Sequence, residues 1–228
     1  MPTSRRIAQA GYLALAAADT YLVTRPGRAA RRTRLVTKPL LMPALSVATR
    51  LGTDERNDTL TRGTRTAQLF SWGGDVALLG QSRPAFLAGV GSFFAAHTAY
   101  IAAFTSARDA GARLSDPGPK AAAVTWVATA PVMAVAAGRK DPSLRVPIAA
   151  YGSILASMFA SSTTLSRTLP AHQRHKILLG TSLFLLSDSL LGLQEFFRDQ
   201  RSPVLEGAVM ATYTAGQYLI ADGVAGAV

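Results

Sequence analysis

Asp19, Lys38, Asp75, His97 and Asp188 each interrupt an otherwise apolar stretch of this sequence, and Glu195, Glu206 and Asp222 stand nearer the ends of such stretches. An ionisable side chain at the centre of a membrane helix costs about 2.5–3.5 kcal/mol, so each one calls for a partner or a task. Asp75 and Asp188 pose the sharpest question. Two carboxyls sharing one cation, Lys38, leave one acid without a counter-charge, and in a low dielectric such an acid keeps its proton at neutral pH. One protonated and one ionised carboxyl are the equipment of general acid and base catalysis, as in glycoside hydrolysis. The simpler reading is structural: the charges pair to hold helices together, with Asp19 and Lys38 as the natural couple, or Lys38 snorkels from a helix start.

Helices must position these residues. Apolar blocks cover 7–24, 35–49, 66–80, 84–105, 121–138, 146–165, 177–197 and 204–224. Most approach the roughly 20 residues that carry a helix across about 30 Å of hydrocarbon. They lack the polar stripe of a soluble core helix. The predicted fold is therefore all-α, a single integral membrane domain over 1–228 with eight transmembrane helices and both termini on one side. The second and third blocks are short and carry Lys38, Pro39, Pro43 and Asp75, so six spans with a re-entrant pair is the alternative. The opening Ser4-Arg5-Arg6 and its apolar run are read as the first span rather than as a cleaved leader. Tracing each helix from its own starting side puts Asp19, Lys38, Asp75 and Asp188 at the midplane or nearer the odd-numbered connections. Tyr151 and Tyr213 fall at compatible depths, and His97 slightly deeper. One polar cavity opening toward the odd connections is expected.

Composition agrees with a membrane setting: 49% of residues are hydrophobic and 16% charged, against a usual quarter. The formal charge of +11 is spread over the connections, and the aromatic residues lie mostly inside the spans. That pattern suits anionic lipid headgroups, and it lacks the aromatic platform on a basic stripe that nucleic acid would need. The absence of cysteine excludes disulfides, thiol catalysis and Cys-ligated metal. His172 and His175 belong to a basic loop far in depth from His97, so neither a metal site nor another cofactor is expected. Ser187 adjoins Asp188, but consecutive helical residues point in different directions, which argues against a serine nucleophile. The loop cations, Arg56 among them, divide twelve against eleven between the two sides, with Lys38 completing the 24. Orientation and oligomeric state are not read from them.

Short motifs then recur in order along the chain: Thr37-Lys38-Pro39-Leu40, Trp72-Gly73-Gly74-Asp75, Phe94-Ala95-Ala96-His97-Thr98-Ala99-Tyr100, Phe184-Leu185-Leu186-Ser187-Asp188 and Tyr213-Thr214-Ala215-Gly216-Gln217, with Tyr151-Gly152 through Met158 between them. In this order and spacing the sequence resembles the YhhN-type lysoplasmalogenase family from the second span to the eighth. It departs in a long Arg-rich first loop and a polar third loop. The resemblance implies an eight-helix bundle that cleaves the vinyl-ether bond of lysoplasmalogens, releasing a fatty aldehyde and a glycerophospho-alcohol. Such hydrolysis begins with protonation of the β-carbon, and water captures the resulting oxocarbenium ion. The resemblance would make Asp75 and Asp188 the acid and base, in an order left open. Lys38 would grip the phosphate or tune a carboxyl, and His97, Tyr100, Tyr151, Tyr213 and Gln217 would orient water and glycerol hydroxyls, with Asp19 in the same cavity. The partners expected are a lysophospholipid substrate and membrane lipids. A small transporter, or a lipid-binding regulator without turnover, could use the same buried charges.

Overall fold

The computed structural model of the chain describes residues 3–53 and 58–227. Among them run eight α-helices and no strand: α1 Thr3–Val23, α2 Arg28–Thr53, α3 Thr59–Ala77, α4 Arg83–Ser106, α5 Pro117–Lys140, α6 Arg145–Ser162, α7 Ala171–Phe197 and α8 Pro203–Ala225. A short 3-10 turn, Pro142–Leu144, leads into α6. Four stretches are long and apolar enough to cross a membrane: α4, α5, Pro142–Ser162 and α7. The chain is thus an all-α membrane protein.

Helix ends follow local chemistry. Asp58 accepts the Thr61 amide at 2.8 Å to start α3, and Ser82 and Ser202 cap α4 and α8, each followed by a proline in the first turn. The predicted Arg-rich first loop is corrected: Arg28, Arg31, Arg32 and Arg34 form the first turns of α2, and only residues 24–27 connect it to α1. Arginine and alanine are good helix formers, so the helix runs past the point where apolar character begins. Gly27 makes the turn with φ of 132°, a conformation that side chains resist. Arg56, one of the predicted loop cations, lies outside the described residues.

The helices pack in a ring: α1 against α2, α2 against α3, α3 against α4, α4 against α6, α6 against α7, α7 against α8 and α8 back on α1. α8 also reaches α2 and α3 across the ring, while α5 lies outside it, packed on α6, α7 and the 3-10 turn. Two contacts set the geometry near the centre. Pro43 has no N–H, so the Pro39 carbonyl four residues earlier loses its helical partner; the Trp72 indole N–H of α3 donates to that carbonyl at 2.9 Å. This ties α3 to α2 just where Lys38 and Asp75 face each other. Between α7 and α8 the backbones touch, since a Cβ built on Gly180 would lie 2.8 Å from the Gly216 carbonyl oxygen, and one built on Gly216 would lie 2.8 Å from that of Gly180. Small residues at such crossings are what allow membrane helices to approach closely.

Candidate active site

A cavity of about 250 Å³ lies among the helices, lined by residues of all eight, α5 included. Gly80, Gln81 and Ser82 of the α3–α4 connection and Arg201 of the α7–α8 connection line it, so it opens toward the odd-numbered connections. Its walls are of two kinds. Lys38, Asp75, Tyr151, Asp188 and Tyr213 supply polar groups, and Ala130, Met133, Ile148, Leu155, Ala156 and Leu185 an apolar surface. At the mouth Arg201 bridges Glu195 at 3.1 Å and Glu206 at 3.3 Å.

The polar groups fall into two sets. In the first, Asp75 from the last turns of α3 lies 3.6 Å from Lys38 Nζ and accepts the Tyr213 hydroxyl of α8 at 2.7 Å. Both ionic side chains are nearly enclosed, with 11% of Lys38 and 2% of Asp75 exposed. In the second, Asp188 of α7 accepts the Tyr151 hydroxyl of α6 at 2.5 Å, and His97 Nε2 of α4 lies 3.0 Å from that hydroxyl and 3.6 Å from Asp188. Phe93 and Phe184 pack edge-on against each other and against Tyr213, and Phe184 also packs against His97. An aromatic partition therefore stands beside both sets.

Other predicted site residues are not on the cavity wall. His97 stands behind Tyr151. The Tyr100 hydroxyl donates to Gln217 Oε1 at 2.6 Å, and Gln217 Nε2 donates to Ser71 Oγ at 2.9 Å, a buried polar link joining α4, α8 and α3. Such a link braces the helices that carry Asp75 and Tyr213. Asp19 is also set apart. Its partners are Arg34 at 3.2 Å and the Thr37 hydroxyl at 2.6 Å, so the expected pairing with Lys38 is corrected. Arg34 and Lys38 are four residues apart on one face of α2, and each takes a different carboxylate. Arg34 was missed because it was read as a loop cation, and Ser71 was not singled out; the i, i+4 spacing of Arg34 and Lys38 was the available signal.

The sequence model described as the YhhN family matches residues 33–224. The chain belongs to the YhhN family. The YhhN match begins within α2, after α1 and Asp19, and it spans both carboxyl sets of the cavity together with the Tyr100–Gln217–Ser71 link. No curated protein and no solved structure matches the chain. The arrangement common to the matched helices is thus two carboxyls with unlike company facing one amphipathic space.

Proposed function

We propose that this protein is a multi-pass hydrolase of the cell membrane, its eight helices all spanning, that cleaves the vinyl-ether bond of lysoplasmalogen-type lysophospholipids by carboxylate acid/base catalysis. The observation that carries the reading is that Asp75 and Asp188 face one cavity with different partners, an ammonium beside the first and an imidazole–phenol pair beside the second. Vinyl-ether hydrolysis needs that asymmetry, because carbon must be protonated by an acid before a base delivers water. The shape of the space supports the substrate class: an apolar wall for a single chain, and at the mouth charges of both signs for a polar head. Arg34, Lys38 and Arg201 are the cations within reach of a phosphate.

Purified protein in detergent is given a lysoplasmalogen, and aldehyde is followed by mass spectrometry. Aldehyde formation above a no-enzyme control is the expected result; its absence across headgroups, with the lipid bound intact, would instead favour a binding protein or transporter. Saturated ether and ester analogues are expected to survive, since neither yields an oxocarbenium ion by protonation at carbon.

A further inference from the structure

His97 is fully enclosed, and its two ring nitrogens have unlike surroundings. Nε2 faces the Tyr151 hydroxyl at 3.0 Å, whereas Nδ1 is buried with no hydrogen-bond partner. The Phe184 ring closes over the imidazole edge-on, with centroids 4.9 Å apart. Orphaned buried N–H groups are rare, and leaving one unmet costs about 1–3 kcal/mol; a bare acceptor is the better tolerated defect. An imidazolium needs two acceptors and finds one. The proton of a neutral ring therefore belongs on Nε2, which donates to the Tyr151 oxygen.

The rest follows by counting protons. Tyr151 has one, and with its oxygen accepting from His97 that proton is directed to Asp188 Oδ2, 2.5 Å away. Oδ2 is thereby held as an acceptor. When Asp188 carries a proton, the proton sits on Oδ1, the oxygen outside this relay, in a side chain that lines the cavity. Asp75 has the opposite company. Lys38 and the Tyr213 hydroxyl both offer it hydrogens, and both contacts favour its ionised form.

We propose that His97, acting through Tyr151, is a positioning residue that makes Asp188 the proton donor of the pair and leaves Asp75 as the base. The inference rests on the hydrolase reading above. In the first step the Asp188 Oδ1 proton goes to the β-carbon; the C=C electron pair forms the new C–H bond, and the ether oxygen lone pair completes the oxocarbenium ion. Asp75 then takes a proton from water as the water oxygen bonds to the cationic carbon. The hemiacetal passes its hydroxyl proton to the leaving oxygen as the C–O bond breaks, giving aldehyde and alcohol. Exchange with solvent removes the proton from Asp75 and restores the one on Asp188, so the net reaction consumes one water.

The test uses the full chain in detergent, labelled with [15N]histidine, with the His97 signals assigned by their loss in His97→Gln. At neutral pH the expected signature is a protonated Nε2 and a bare Nδ1. A protonated Nδ1 overturns the relay. In parallel, Tyr151→Phe and His97→Gln are assayed on a lysoplasmalogen, with thermal unfolding as a check on folding. The expected result is a fall in kcat of about ten- to a hundredfold, the scale of a misplaced reacting group, with KM changed less than about twofold. Unchanged kcat in folded Tyr151→Phe overturns the proposal. If the wild-type protein releases no aldehyde, the hydrolase reading fails and the catalytic assignment with it, while the nitrogen signature still decides whether the relay exists.

Discussion

Replacing Asp75 or Asp188 by Asn keeps the volume and removes the titrating proton. Each change is expected to abolish vinyl-ether turnover in protein that still unfolds cooperatively, and the double variant should be scarcely worse than either single one, because groups acting as a unit are not additive. Aldehyde release measured side by side decides this; near-normal rates in both single variants would remove the two carboxyls from the chemistry. Much at this scale was legible in the sequence, since an acid in an apolar helix declares itself by its cost. Asp75, Asp188 and Lys38 were marked by that cost and Tyr151 and Tyr213 by their traced depth, and all five line the cavity. Partnership was less legible. Lys38 was the one cation weighed for Asp19, because hydropathy marks where a helix turns apolar and not where it begins, and its partner Arg34 lies in the basic turns before that point.

Two close contacts carry the helices that hold these groups, and each makes a separable prediction. Trp72→Phe retains an aromatic surface but leaves the Pro39 carbonyl without its donor. A loss of about 0.5–1.5 kcal/mol in stability is expected for the lost hydrogen bond, read as a lower unfolding midpoint in detergent. Gly216→Ala places a methyl against the Gly180 carbonyl oxygen and the Phe184 amide, whereas Gly11→Ala meets nothing within 4 Å. The first is expected to destabilise by about 1–3 kcal/mol through overpacking and to lower turnover by shifting Tyr213; the second should be neutral or slightly favourable, as alanine is in a helix. Equal midpoints for the two glycine variants would show that the α7–α8 crossing is not held by backbone contact. The motif that holds Gly216 did not show what the glycine meets, because a close approach belongs to two helices at once.

If all eight helices span, as proposed, both chain ends would lie on one face of the membrane, away from the cavity mouth. Reporter fusions at the two termini are expected to report the same side, and opposite sides would mean an odd number of crossings. The ring places α5 outside its neighbours, and the α5 residues Thr125, Thr129, Ala130 and Met133 form part of the cavity wall. One side of the cavity is thus bounded by a helix that stands outside the ring, with Val124, Val127 and Val132 exposed on its outer face. A lysolipid arriving past α5 would diffuse in two dimensions and keep its chain out of water throughout. The quantity that governs such a reaction is the mole fraction of substrate in the surface, so inert detergent added at constant bulk substrate should slow turnover by surface dilution, while added buffer at constant lipid-to-detergent ratio should leave the rate per enzyme nearly unchanged.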